Sequence, residues 1–90
     1  MDISIVIPVY NEEGSLEELT AGIRKVMSEN GSFDYEIIMI DDGSRDHSWE
    51  IIEKLAAGAS DLKALGFRKN YGKSAALHSG FQVTSGDVII

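Results

Sequence analysis

Residues 37–46, Ile-Ile-Met-Ile-Asp-Asp-Gly-Ser-Arg-Asp, decide the fold that we predict for this chain. Four consecutive apolar side chains, with no alternation, indicate a strand buried on both faces, as in a parallel sheet. The polar residues 41–44 then form the turn at the carboxyl end of this strand. Ligands of open α/β sheets bind at this edge. We therefore predict a binding site built around this turn.

The composition excludes several classes of protein. The 90 residues are 43% hydrophobic and 26% charged, which is ordinary for a globular domain or a part of one. The chain has no cysteine, which excludes disulfides and cysteine-based zinc sites. Its net charge of -7 argues against a nucleic-acid partner or an anionic membrane surface. The sequence shows no signal peptide or transmembrane pattern, so we expect a cytoplasmic location.

Strand and helix patterns alternate along the chain. Four mainly apolar segments predict strands, at about residues 3–9, 35–41, 62–67 and 87–90. Three helical patterns lie between them. Alternation of this kind implies right-handed crossovers and a parallel sheet with helices on both faces. We predict a Rossmann-like, three-layer α/β/α fold.

The helical patterns have recognisable ends and faces. Ser15 and Glu18 form a capping box at the start of the first helix, which ends at residues 30–31. The second helix follows Asp46, and the third is expected over residues 74–83. The first helix has an apolar stripe made by Leu16, Leu19, Ile23, Val26 and Met27.

The loops at residues 9–14, 41–46 and 68–73 all leave the carboxyl ends of predicted strands, so they meet at one edge of the sheet. The first loop offers an aromatic ring and a carboxylate, and the second offers paired carboxylates. The third is basic and begins a helix, so it can hold a phosphate. Such a combination suits a nucleotide. Because neighbouring strand side chains point to opposite faces, we expect Asp42 to contact the ligand and Asp41 to be structural.

Two common nucleotide-binding motifs do not fit the sequence. The segment Gly72-Lys73-Ser74 is similar to the end of a Walker A loop, but that loop requires glycine where this chain has Phe67. A dinucleotide-binding G-x-G-x-x-G should follow the first strand, and residues 9–14 contain one glycine. The sequence therefore favours neither a P-loop NTPase nor a dehydrogenase.

Three segments together resemble family 2 glycosyltransferases of the GT-A fold, and among them the dolichyl- and undecaprenyl-phosphate sugar transferases. These segments are 6–13 (VIPVYNEE), 40–44 (IDDGS) and 68–77 (RKNYGKSAAL). The resemblance implies a nucleotide-binding set of Pro8, Tyr10, Glu12, Ile40, Asp42, Arg68 and Lys73. The first three of these would line the base and ribose pocket. The next two, Ile40 through its backbone, would hold the base, and the last two would face the diphosphate.

The resemblance also implies an activity. Enzymes of this family transfer a sugar from a nucleoside-diphosphate sugar, here a UDP- or GDP-sugar, to a lipid-phosphate or saccharide acceptor in cell-wall or polysaccharide biosynthesis. The family's metal-binding Asp-x-Asp would fall just past Ile90. We therefore expect Mg²⁺ or Mn²⁺ in the full-length enzyme, and no metal ligand, catalytic base or activity in these 90 residues. Regions beyond residue 90 could associate with a membrane.

Two alternatives remain. A receiver-like signalling domain is also an α/β fold, but it needs paired acids after the first strand and a phospho-acceptor aspartate after the third. Here those strands end in Pro8-Val9-Tyr10 and Phe67-Arg68. A non-catalytic interaction module is compatible with the missing metal motif. The apolar residues 88–90 would leave a sheet edge open, so we also expect self-association of the isolated chain.

Overall fold

The computed structural model describes residues 2–86 and the backbone of Val88–Ile89. The strands are β1 (Ile3–Val9), β2 (Tyr35–Asp41), β3 (Leu62–Gly66) and β4 (Val88–Ile89). The helices are α1 (Leu16–Glu29), α2 (Ser48–Ala56) and α3 (Lys73–Gln82). All the strands pair in parallel in the order β3-β2-β1-β4, as the sequence predicts for the sheet. Within the described residues, no helix combines the length and apolar character needed to cross a membrane.

Strand β2 lies inside the sheet and carries both halves of the core. Ile37 and Met39 face α1 and α2, and pack with Leu16 and Ile52. Because side chains alternate along a strand, Ile38 and Ile40 point to the other face, which α3 covers. This two-sided burial explains the uninterrupted apolar run that decides the fold.

Helix α3 packs closely on its face of the sheet because Gly80 has no side chain. A Cβ atom added to Gly80 would lie 2.5 Å from Val6 Cγ1 and 2.7 Å from Ile40 Cδ1. Ala76, one turn earlier, is fully buried in the same core. Small residues at this contact therefore set the distance between the helix and the two central strands.

The buried carboxylate of Glu36 holds the turn before β4, at Ser85, against the sheet. Glu36 on β2 is 2% exposed. It accepts hydrogen bonds from the Ser4 hydroxyl at 2.5 Å and from the Ser85 backbone N–H at 2.6 Å, and it pairs with Lys63 Nζ at 2.8 Å. The Ser4 hydroxyl in turn accepts from the Gly86 N–H at 2.8 Å. Glu36 thus links three strands to the approach to β4.

The element boundaries differ from the sequence prediction by small amounts. Strand β3 ends at Gly66, one residue earlier than predicted, although the Phe67 N–H still donates to Asp41 O of β2. Helix α3 begins at Lys73 and ends at Gln82, one residue earlier at each end than predicted. Residues 87 and 90, which we placed in the last strand, lie outside the described part of the chain.

The predicted capping box at the start of α1 is wrong, and the apolar stripe of α1 is only partly buried. Ser15 is the N-cap, but its hydroxyl bonds to Glu12 instead of capping the helix. Leu19 and Val26 of the apolar stripe are 42% and 55% exposed. They line a cavity of about 750 Å³ together with Ile5 of β1.

Candidate nucleotide-binding site

The site is built where β1, β2 and β3 end together. Beyond the last residues of these strands, the Asp42 N–H donates to Val9 O and the Phe67 N–H donates to Asp41 O, both at 2.8 Å. The end of β2 is therefore bonded on both sides. This fixes where the loops that follow the three strands leave the sheet.

The loops after β1 and β2 are joined by hydrogen bonds between their backbones and side chains. Asn11 has a left-handed φ of 53°. Its N–H donates to Ser44 Oγ at 2.9 Å, and its Oδ1 accepts from the Arg45 N–H at 2.8 Å. The Glu12 N–H donates to Ser48 Oγ at 2.9 Å. Asn11 thus makes two of the hydrogen bonds that hold these two loops together.

Asp46 adds to this connection and also binds Ser48, the first residue of α2. Its Oδ1 accepts from the Ser48 N–H at 2.9 Å, and its Oδ2 accepts from the Glu13 N–H at 3.2 Å. Desolvation acts to raise the pKa of Asp46, but the hydrogen bonds from Ser48 and Glu13 lower it below the ordinary value. Asp46 therefore links the first two loops and accepts a hydrogen bond from the first residue of α2.

A cavity of about 460 Å³ opens between the first and third loops. This volume lies within the range of small-molecule sites. The cavity is lined by Pro8, Val9, Tyr10, Glu12, Asp42, Asn70, Gly72 and Lys73. Five of the predicted site residues therefore meet in one place. The larger cavity beside α1 has an apolar lining without a lysine or arginine, so it does not suit a nucleotide.

Two predicted site residues do not line this cavity with the others. The side chain of Ile40 is fully buried in the core under α3, and its backbone pairs with Pro8 of β1 and Leu65 of β3 in the sheet. Arg68 instead lines a separate cavity of about 380 Å³ beside α2. Phe67, just before it, also lines this second cavity, so the start of the third loop faces α2 rather than the candidate site.

The two adjacent aspartates serve different sides of the sheet. Asp41 lines the cavity beside α2, and its Oδ2 accepts from the Ser44 N–H at 3.2 Å. Its Oδ1 is buried and receives no hydrogen bond from the described residues. Asp42 lines the candidate site. Both are 3% exposed, so burial does not distinguish them, whereas the face of the sheet does.

The third loop is fastened to Asp42. The carboxylate accepts hydrogen bonds from the backbone N–H groups of Tyr71 at 2.9 Å and Gly72 at 3.0 Å, and from Asn70 Nδ2 at 3.1 Å. The second loop approaches the backbone of Lys69 so closely that a Cβ atom at Gly43 would overlap it. Only glycine fits there, and its φ of 73° favours glycine as well.

Sequence reasoning did not assign Asn70 and Gly72 to the site. Both line the cavity, and both donate to a residue about thirty positions earlier in the chain. The available signal was a polar residue and a glycine just before a helix, which usually indicates only a turn. The partner of such a turn becomes visible only in the folded chain.

The described residues do not form a metal site. No three histidine, aspartate or glutamate side chains among residues 2–86 are placed to share an ion. The Mg²⁺ or Mn²⁺ that the family resemblance implies therefore has no set of ligands in this part of the chain, and we assign no chemical step to a metal here.

Comparisons with known proteins agree with this architecture. The sequence model described as glycosyl transferase family 2 matches residues 4–90. Proteins named undecaprenyl-phosphate 4-deoxy-4-formamido-L-arabinose transferase, from Pseudomonas fluorescens (strain SBW25) and Shewanella sediminis (strain HAW-EB3), are 45% and 46% identical to this chain. The similarity covers 98% of this chain but only 26% and 27% of those proteins.

The same fold occurs in solved structures. S. aureus TarS 1–349 superimposes with a TM-score of 0.80 at 25% identity, over all of this chain and 27% of that one. Its complexes with UDP and with UDP-GlcNAc give TM-scores of 0.79 and 0.76, at 25% and 26% identity. They likewise match all of this chain, and 27% and 26% of their own.

The parallel sheet, its helices on both faces and its polar carboxyl edge define the N-terminal half of a GT-A fold. The chain belongs to glycosyl transferase family 2. The predicted fold class and family are thereby confirmed, and the receiver-like alternative is excluded.

Proposed function

We propose that this chain forms the nucleotide-binding part of a glycosyltransferase. The whole protein would transfer a sugar from a nucleoside-diphosphate sugar to a lipid-phosphate or saccharide acceptor. The observation that carries the proposal is the cavity at the carboxyl edge of the sheet. There an aromatic ring, two carboxylates and a lysine at a helix start come together from three separate loops.

Each side chain of the cavity suits one part of a nucleotide. The ring of Tyr10 is 42% exposed at the cavity and can stack on a base. Glu12 and Asp42 can accept hydrogen bonds from ribose hydroxyls or a base N–H. Lys73, the first residue of α3, would lie near the diphosphate.

The placement of Lys73 supports the phosphate assignment. A cation at a helix N-terminus is opposed by the helix dipole, and an anion shared between them removes this conflict. When the bond between the sugar and the diphosphate breaks, negative charge grows on the leaving group. Lys73 and the α3 N–H groups would stabilise that charge.

The known relatives favour particular substrates. The TarS complexes contain UDP and UDP-GlcNAc, which favours a UDP-sugar over a GDP-sugar as donor. Relatives named for undecaprenyl phosphate favour a lipid-phosphate acceptor. Such an acceptor resides in a membrane, so we propose that the whole protein works at the cytoplasmic membrane surface. Residues after Ile90 would supply the ligands of the divalent metal and the catalytic base. This chain alone would therefore bind the donor without transferring the sugar.

Calorimetric titration of the chain with UDP, GDP, CDP and ADP tests the proposal. We expect UDP to bind best. Lys73→Ala should weaken UDP binding by about tenfold or more, the amount expected for a lost charge-assisted hydrogen bond. Lys25→Ala is the matched control, because Lys25 is an exposed lysine of α1 and does not line the cavity.

Two results would contradict the proposed function. One is that none of the four diphosphates binds to a chain that circular dichroism shows to be folded. The other is binding that Lys73→Ala and Lys25→Ala weaken equally, because this would indicate general electrostatic attraction rather than binding in the cavity.

A further inference from the structure

Most of the hydrogen-bond acceptor positions of the Asp42 carboxylate are occupied by other groups of this chain. A carboxylate has about four acceptor positions, and here three donors of the loop after β3 occupy three of them. These donors are the N–H groups of Tyr71 and Gly72 and the side-chain amide of Asn70, at 2.9 to 3.1 Å. Asn70 Nδ2 also donates to the backbone oxygen of Asp42 at 3.1 Å. Residues 70–72 are therefore tied to the end of β2.

The start of α3 depends on this attachment. Gly72 is the N-cap of α3 with a φ of 101°, and it supplies no side chain to cap the helix. Its carbonyl accepts the first helical hydrogen bond, from the Ala76 N–H at 3.2 Å. Lys73 follows directly. The position of Lys73 at the cavity is thus set by the residue that holds Gly72, which is Asp42.

The outer side of the same loop is held by aromatic contacts. The rings of Phe67 and Tyr71 meet edge to face, with centroids 5.5 Å apart. Lys69 Nζ lies 5.2 Å from the centroid of the Tyr71 ring. Tyr71 itself is 60% exposed, so these contacts are weaker than buried ones. The charged hydrogen bonds of Asp42 therefore carry most of the restraint on the loop.

We propose that Asp42 is a positioning residue for the diphosphate end of the nucleotide. By holding residues 70–72, it places Lys73 and the N-terminus of α3 against the phosphates. This inference rests on the proposed function of the cavity. It differs from a role in which Asp42 only contacts the base, because it assigns the effect of Asp42 to the opposite end of the ligand.

Asn70→Ala separates the two roles. It removes one donor that Asp42 binds but leaves the carboxylate in the cavity, so it removes no contact between Asp42 and a base. Asp42→Asn is the second variant, since an amide cannot accept hydrogen bonds from all three donors. Asn30→Ala is the matched control, because the hydrogen bonds that Asn30 makes with described residues stay at the end of α1, to Val26 O.

The measurement is a two-dimensional NMR titration of the ¹⁵N-labelled chain with uridine and with UDP. The same samples report hydrogen exchange at the Tyr71 and Gly72 amides. For Asn70→Ala we expect faster exchange at both amides and a loss of UDP affinity of about tenfold, with uridine affinity within about twofold of the wild type. Asp42→Asn should change the ratio of UDP to uridine affinity in the same direction.

An unchanged ratio of UDP to uridine affinity in both variants would overturn the positioning role. So would faster amide exchange without any loss of UDP affinity, since the attachment would then be purely structural. Failure of the proposed function is recognised separately, because the wild-type chain would then bind neither ligand.

Discussion

Replacing Glu36 with glutamine removes the charge from a nearly fully buried carboxylate that links three strands to the approach to β4. Glutamine has almost the same shape and keeps one oxygen that can accept from Ser4 or Ser85. It loses the ion pair with Lys63, which is 2.8 Å long in the wild type. The substitution therefore tests the contribution of the charge with little change in packing.

The magnitude follows from the pKa of Glu36. Burial acts to raise it, but hydrogen bonds from Lys63, Ser4 and the Ser85 N–H lower it from 4.5 to about 2. One pKa unit corresponds to about 1.4 kcal/mol, so the ionised form contributes about 3 kcal/mol to the free energy of unfolding. Because the folded-state pKa is depressed, this contribution is complete well above 4.5 and is lost as the pH falls toward 2.

Urea unfolding followed by circular dichroism measures the effect. We expect Glu36→Gln to be about 3 kcal/mol less stable than the wild type at about pH 7, and the difference to fall below half of that at about pH 3. Comparing the two proteins at each pH cancels the titration of the other carboxylates. Glu53→Gln, at an exposed position of α2, is the control and should change stability by less than about 0.5 kcal/mol.

A stability difference that does not change between the two pH values would refute this reasoning. It would show that glutamine disturbs packing or neutral hydrogen bonds, and that the charge of Glu36 contributes little. Equal stability of Glu36→Gln and Glu53→Gln at neutral pH would refute the stabilising role of the ion pair altogether.

Two further predictions concern the helices. Gly80→Ala should destabilise the chain by about 1–3 kcal/mol, because the added methyl group overlaps Val6 and Ile40; thermal unfolding measures this, and an unchanged midpoint contradicts the packing argument. The Arg24 guanidinium forms two hydrogen bonds with Asp61 and holds its pKa below the ordinary value. Arg24→Gln should raise that pKa in an NMR titration, and stability above it should fall; an unchanged pKa would show that Arg24 is not the cause.

Much of the fold could be predicted because it depends on local patterns. The unbroken run at Ile37–Ile40 indicates burial on both faces, and in the structure alternate residues of the run face different core clusters. The meeting of three loops at one edge follows from parallel strands alone. These properties need no knowledge of which side chains touch.

The details that sequence reasoning missed depend on contacts between distant residues. Arg68 lines the cavity beside α2, a placement set by how the chain leaves the sheet just beyond the end of β3. The hydrogen bond from Asn70 to Asp42 spans 28 positions of the sequence. The exposure of Val26 reflects which elements lie beside α1, and a helical stripe alone cannot reveal that.

The attachment of the turn before β4 has a consequence for the order of folding. The hydrogen bond between the Gly86 N–H and Ser4 joins residues 82 positions apart, whereas the Ser4–Glu36 bond spans 32. Closing the longer loop costs more chain entropy and is slower. We therefore expect β1, β2 and β3 to assemble first. The last strand would then join a nearly finished sheet, guided to its register by a buried carboxylate that is already in place.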